Sequence, residues 1–232
     1  SRNIFGWGIA HGFEGKISEL WCKTYGEEYD GDKLDYFILP EEKEWTKNNT
    51  LNIPFILIGP YAATPLVQYP GVEHTTTATK KTEVRDWFED KWIELVREIQ
   101  NMGIQVFQVG GKGEKLIEGC VDYIGIDYRM TIALLERSKG FICGDSFLEH
   151  AGHAIGKQGV VLFGPSDPFL AGHESNFNIK TNQCDQDYLC MKQWQPSQWT
   201  FKTKSCKTRL CMKSITVEEV LHSLKIIMRD KI

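Results

Sequence analysis

The chain has 232 residues, and its 31 acidic and 27 basic residues leave a net charge of −4. That length suits one large domain or two small ones, but not two Rossmann domains of roughly 150 residues each. The acidic balance argues against a dedicated nucleic-acid-binding face. With 41% hydrophobic and 12% aromatic residues, the chain has the composition of a folded globular protein. Apolar runs such as Ile53–Ile58 fall far below the ~20 residues that span a bilayer. No basic, apolar leader opens the sequence. A soluble, cytoplasmic protein without a transmembrane segment is therefore expected.

Residues 1–52 read as an irregular extension, or a remnant of a second domain, with a helix near Lys16–Thr24 and a strand near Tyr36–Leu39. The pattern changes at Pro54. Phe55–Ile58 is a continuous apolar run closed by Gly59-Pro60, as expected of a buried parallel strand. Residues 61–82 form a long Thr-rich loop, a length usually tied to function. Phe88, Trp92, Leu95, Val96 and Ile99 recur at helical spacing within Asp86–Met102, and Gly103 stands where a C-terminal cap belongs.

Ile104–Val109 is a second buried strand ended by Gly110-Gly111. A short helix is expected over 114–118, a short strand over Tyr123–Ile126 and a helix over Met130–Arg137. Gly140–Cys143 forms a strand, Ser146–Ile155 a helix and Val160–Phe163 another strand, which Gly164-Pro165 closes. Residues 181–213 are irregular and cysteine-bearing. Thr216-x-x-Glu219 is a capping box that opens a final amphipathic helix over 215–230. Strands alternating with helices at these lengths imply right-handed crossovers and a doubly wound parallel α/β sheet, here assigned to 53–232.

Gly144-Asp145-Ser146-Phe147-Leu148-Glu149-His150 joins a strand to a helix. In an open α/β sheet, ligands bind beyond the carboxyl ends of the strands, and a helix N-terminus there suits phosphate. Ser146-x-x-Glu149 is equally a capping box, in which Asp145 and Ser146 only cap the helix. His150-x-x-His153, with Asp145 and His173 near in sequence, has metal-ligand character, but local hydrogen bonding accounts for it better.

The run His150-Ala151-x-x-Ala154 through Phe163-Gly164-Pro165, read with Asp145-Ser146, resembles the C-terminal nucleotide-sugar domain of glycosyltransferase family 9, the heptosyltransferase-like enzymes. Thr76-Thr77, Arg85-x-Trp87, Trp92 and Val109-Gly110-Gly111-x-x-Glu114 extend that resemblance, which covers about Pro54–Pro168 and the final helix. It implies a Rossmann-like fold, the donor half of a GT-B glycosyltransferase. Asp145, Ser146 and Phe147 would hold the donor pyrophosphate, with Arg85 in place of a phosphate-binding Lys. Glu114 would approach the ribose, Thr76 and Thr77 would line the cleft, and His150 would lie beneath the phosphates. Phe147 departs from the family's Gly, and Arg85 is a planar fork where the family has a point charge.

The implied activity is transfer of a sugar from a nucleoside-diphosphate donor, an ADP-sugar such as ADP-heptose, to a hydroxyl of a saccharide or protein acceptor. The leaving group can be met by a helix dipole and a cation, with no cofactor required. The catalytic base is not identified; His11, Glu14 and Asp30 are weak candidates. Cys184-x5-Cys190-x15-Cys206-x4-Cys211 suits a structural Zn or Fe site, with two disulfides as the rival and free thiols as the third reading. Some heptosyltransferase relatives are similar in carrying a cysteine-rich metal finger before the last helix. The missing acceptor half leaves open a donor half that needs a partner domain or homo-oligomer, or a binding module that has lost transfer.

Overall fold

The continuous apolar runs become the central strands of one parallel sheet. The computed structural model describes residues 16–31, 34–50, 53–62, 85–181, 183, 206 and 208–229. Its strands are β1 (Phe55–Gly59), β2 (Gln105–Gly110), β3 (Val121–Ile124), β4 (Phe141–Gly144), β5 (Gly159–Phe163) and β6 (Phe177–Lys180). They lie in the order β3-β2-β1-β4-β5-β6, and every pair is parallel. The helices are α1 (Ile17–Tyr25), α2 (Pro40–Asn49), α3 (Glu89–Asn101), α4 (Tyr128–Arg137), α5 (Phe147–Ala154), α6 (Pro168–Ala171), α7 (Leu210–Ser214) and α8 (Val217–Arg229).

Alternation along each strand divides the core between the two faces. Ile56, Ile58, Val106, Ile142, Val160 and Leu162 pack with Trp92, Leu95 and Ile99 of α3 and with Val220, Leu224 and Ile227 of α8. Phe55, Leu57, Phe107, Phe141, Val161 and Phe163 pack on the other face with Leu134 and Leu135 of α4 and Leu148 and Ala151 of α5. This doubly wound arrangement reverses direction between β1 and β4, where Leu57, Ile58 and Gly59 pair with Phe141, Ile142 and Cys143. Two glycines make room for Phe141: a Cβ on Gly152 or on Gly159 would stand 2.3 Å from its ring.

Several expected elements move. Tyr36–Leu39 is not a strand; it leads into α2, where Pro40 takes the first turn and the Glu42 carboxylate accepts from the Leu39 N–H at 2.8 Å. Residues 114–118 are not helical, because the buried Gln108 side chain captures their backbone. It accepts from the Ile117 N–H at 2.7 Å and donates to the Lys115 carbonyl at 2.8 Å. The third helix starts at Glu89, not Asp86. The third strand ends at Ile124, before the predicted Ile126. Helices α2, α6 and α7 and strand β6 lie where the sequence pattern predicts no element.

The segment ahead of the sheet is tied to it. Glu42 of α2, 2% exposed, takes a hydrogen bond from Arg129 Nε of α4. That pairing holds the Glu42 carboxyl below its usual range.

Candidate functional site

The carboxyl ends of β1, β2 and β4 converge where the strand order reverses, the place at which doubly wound sheets bind ligands. Three connections build this edge. After β1 the chain reaches Tyr61 and Ala62, and the Ala62 N–H donates to Asp86 Oδ1 at 2.8 Å. After β2 it turns through Gly110-Gly111 to Glu114. After β4 it passes Asp145 and Ser146 into α5.

Arg85 bridges two of these connections. Its Nη1 donates to the Asp145 main-chain carbonyl at 2.9 Å and stands 3.8 Å from Asp145 Oδ2. Both side chains are largely buried, at 19% and 11% exposure. The neighbouring residues fix this geometry: Trp87 Nε1 donates to the Ile215 carbonyl at 3.2 Å.

The capping reading of Ser146-x-x-Glu149 does not hold. Ser146 is the N-cap of α5, but its side chain makes no capping bond. Its hydroxyl bonds the thiol of Cys143, whose ionisation burial disfavours strongly. Glu149 does not fold back to the N-cap; its side chain is buried, with no exposed surface. By contrast, Thr216 and Glu219 form the expected capping box at 2.8 and 3.2 Å. Helix α5 thus starts without a Ser146 cap: the Glu149 N–H turns inward to the Cys143 thiol, while the Phe147 and Leu148 N–H groups lie beside a guanidinium. Phe147, 49% exposed, occupies the first helical position at this edge.

Glu114 lies on Gly110. Its Oε1 accepts from the Gly111 N–H at 2.8 Å, and its Oε2 would overlap any Cβ at position 110. Burial raises its carboxyl to about 7, a shift opposed by the Gly111 hydrogen bond and reinforced by Asp86. The Tyr61 hydroxyl is pushed up to about 12, first by burial and then by the negative charges of Glu89, Asp86 and Glu114. Arg85, Asp145, Ser146, Phe147 and Glu114 therefore lie around one sheet edge.

Two residues of this edge carried no recognisable sequence signal. Tyr61 stands at the end of β1. Arg209, in left-handed backbone conformation, donates from Nη1 to the Asp86 carbonyl at 3.0 Å and lies 4.3 Å over the Phe88 ring. A guanidinium from an irregular segment far along the chain leaves no periodic or motif signature.

His150 sits on the first turn of α5. Its Nδ1 shares a hydrogen bond with Nε2 of the buried His173 at 2.9 Å, while His153 Nδ1 pairs with Ser175 Oγ at 3.0 Å. Thr76, Thr77, His11, Glu14, Cys184 and Cys190 lie outside the described residues. Of the cysteine set, Cys206 and Cys211 are described, both half-buried and neither in a disulfide. Asp30 lines an open cavity of about 580 Å³ with Asp35, His153, Glu174 and Lys16.

A parallel sheet with this strand order is a doubly wound, Rossmann-like fold, and it matches part of the fold of GT-B heptosyltransferases. The model of glycosyltransferase family 9 (heptosyltransferase) matches residues 61–198, and the chain belongs to that family. It is 29% identical over 167 residues to lipopolysaccharide heptosyltransferase 1 of Salmonella typhimurium, covering 68% of this chain and 46% of that one. Its fold is similar to a family 9 glycosyltransferase from Veillonella parvula, with TM-score 0.64, 15% identity and coverage of 93% of this chain and 61% of that one. It is also similar to E. coli ADP-heptose lps heptosyltransferase II, with TM-score 0.59, 17% identity and coverage of 85% and 54%. The iron-containing dodecameric heptosyltransferase TibC, in complex with ADP-D-beta-D-heptose, matches with TM-score 0.55 at 16% identity over 79% of this chain and 47% of that one. The chain spans about half the length of these relatives. No described helix is long and apolar enough to cross a membrane.

Proposed function

We propose that this chain is the donor-binding half of a glycosyltransferase that takes a nucleoside-diphosphate sugar, an ADP-sugar of the heptose class, and passes the sugar to an acceptor hydroxyl. The observation that carries this reading is the start of α5. Ser146 does not cap its first turn, which lies at the strand-order reversal with Arg85 at its side. A diphosphate there would accept from the first-turn N–H groups and meet the positive end of the helix dipole.

The chemistry follows from the leaving group. As the bond from the anomeric carbon to the diphosphate oxygen breaks, negative charge builds on the diphosphate. Donors already in place stabilise it without reorganising. The Phe147 and Leu148 amides and the Arg85 guanidinium would supply those donors. Glu114 would accept from the ribose hydroxyls, and its elevated pKa would let it do so fully only when ionised, above about 7. Thr76 and Thr77 would complete the cleft, with His150 below the phosphates. The acceptor oxygen needs a base to take its proton; a partner domain or a second subunit would bring it together with the acceptor site. Residues 1–52 would then belong to that acceptor side, and the cysteine segment would hold a structural metal.

Titration calorimetry with ADP, GDP and UDP tests the donor reading. ADP binding is expected; no binding of any of the three at about 1 mM, an affinity of only about −4 kcal/mol, would overturn it. Phe147 in the position of the family's Gly favours a second reading, a module that binds the donor without transfer. Donor turnover in the presence of an acceptor domain separates the two.

A further inference from the structure

Beneath the phosphate-facing amides, the first turn of α5 carries a cluster of which the donor reading uses only His150. Glu149 and His150 come from the helix, and His173 comes from the connection between α6 and β6. One potential ligand atom from each lies within 4.8 Å of the other two. We propose that Glu149, His150 and His173 bind a divalent transition-metal ion of the zinc class, which clamps the first turn of α5 to the β5–β6 crossover.

The donor set fits that class. Two imidazole nitrogens and one carboxylate oxygen suit zinc and its neighbours, whereas magnesium and calcium prefer oxygen ligands throughout. The spacing fits as well. Two nitrogens bound to a tetrahedral ion at roughly 2.0–2.1 Å stand about 3.3 Å apart. His150 Nδ1 and His173 Nε2 are 2.9 Å apart, so only a few tenths of an ångström separate the hydrogen-bonded pair from a ligand pair. On binding, the shared ring hydrogen moves to the outer nitrogen of its own imidazole, and both inner nitrogens become ligands.

Burial gives the site its shape. Glu149 is fully enclosed and His173 is 4% exposed, while His150 is exposed and forms the open side. A carboxylate is costly to enclose unless a cation or donors face it, and a metal ion held between this carboxylate and the two imidazoles would meet that charge. The His173 side chain is also positioned from behind. Its main-chain carbonyl accepts from Asn178 Nδ2 at 3.0 Å and from the Asn176 N–H at 3.1 Å. His153 stacks flat on its ring with centroids 3.9 Å apart. Such outer support fixes the orientation of a ligating imidazole. Three protein ligands leave a fourth position for water at the His150 side.

The test uses the metal alone, without nucleotide, and the spectrum separates this site from the cysteine segment. The full chain and its His150→Ala variant are titrated with cobalt(II), whose visible bands report tetrahedral binding and whose near-ultraviolet thiolate bands report cysteine ligation. His150 is exposed, so this variant keeps the fold. The expected difference is one equivalent of visible-band cobalt without thiolate character, bound at least roughly 10-fold more weakly in the variant, because loss of an outer-shell partner alone costs that much. His173→Ala, with circular dichroism recorded alongside, should show the same loss, while Cys206→Ser should leave that equivalent in place. Identical titrations of wild type and His150→Ala, or only thiolate-type cobalt, would overturn the proposal.

Discussion

Arg85 Nη1 reaches the main-chain carbonyl of Asp145 at 2.9 Å, and the same guanidinium nitrogen lies 3.8 Å from the Asp145 carboxylate. The contact locks the residue ahead of α3 to the carboxyl end of β4, across the point where the strand order reverses. It also brings a fixed positive charge beside the start of α5. A planar fork can hold that carbonyl and still present donors to a diphosphate, which a lysine ammonium cannot do in the same geometry.

Replacing Arg85 by alanine should therefore weaken ADP binding by about 10- to 100-fold, the range expected for charge-assisted hydrogen bonds worth about 1.5–3 kcal/mol. Arg85→Lys should recover part of the affinity. Titration calorimetry reads both; an unchanged affinity in Arg85→Ala would remove this residue from the donor site.

Phe147 makes the opposite prediction. A large ring at the first helical position crowds the N–H groups that a phosphate would approach. Phe147→Gly should tighten ADP binding, while costing at most about 1 kcal/mol of stability in denaturant unfolding. Looser binding in the glycine variant would mean that the ring itself contacts the nucleotide.

Glu114 gives a pH dependence. Its carboxyl lies at about 7 in the folded chain, raised from an ordinary value of 4.5. Between those values the folded state holds a proton that the unfolded chain has lost. Stability should therefore fall as pH rises through that window and level off above it. Glu114→Gln keeps the acceptor for the Gly111 N–H and cannot ionise, so its melting temperature should lack this decline. A wild-type profile parallel to that of the variant would contradict the shift.

Much of this organisation is legible in the chain itself. Buried strands such as Phe55–Ile58 announce themselves because parallel strands enclosed on both faces are apolar throughout. Arg85 and Glu114 stand out only through the resemblance to glycosyltransferase family 9, whereas Asp145–Phe147 is also marked by its place between a strand and a helix. What stayed hidden depends on tertiary partners. Ser146-x-x-Glu149 carries the same pattern as Thr216-x-x-Glu219, yet only the latter caps its helix, because Glu149 turns inward toward His150 and His173. Residues 114–118 lose their helix to one side chain, Gln108, eight positions or so upstream. Strand β6 is only half-buried and short, so its periodicity was too weak to read.

Packing of the β4 ring offers a stability prediction independent of function. A Cβ at Gly159 would stand 2.3 Å from Phe141, in the middle of a close-packed face. Gly159→Ala should cost about 1–3 kcal/mol in denaturant unfolding. Loss of less than a few tenths would mean that Phe141 has another rotamer available.

The central claim is a location as much as a ligand: the nucleoside diphosphate sits at the start of α5. Backbone amide shifts followed by NMR during an ADP titration test it most directly. The account predicts the largest changes at Phe147 and Leu148, with Arg85, Gly111 and Glu114 responding in step. Saturable ADP binding that leaves those amides unmoved and shifts residues elsewhere would contradict it.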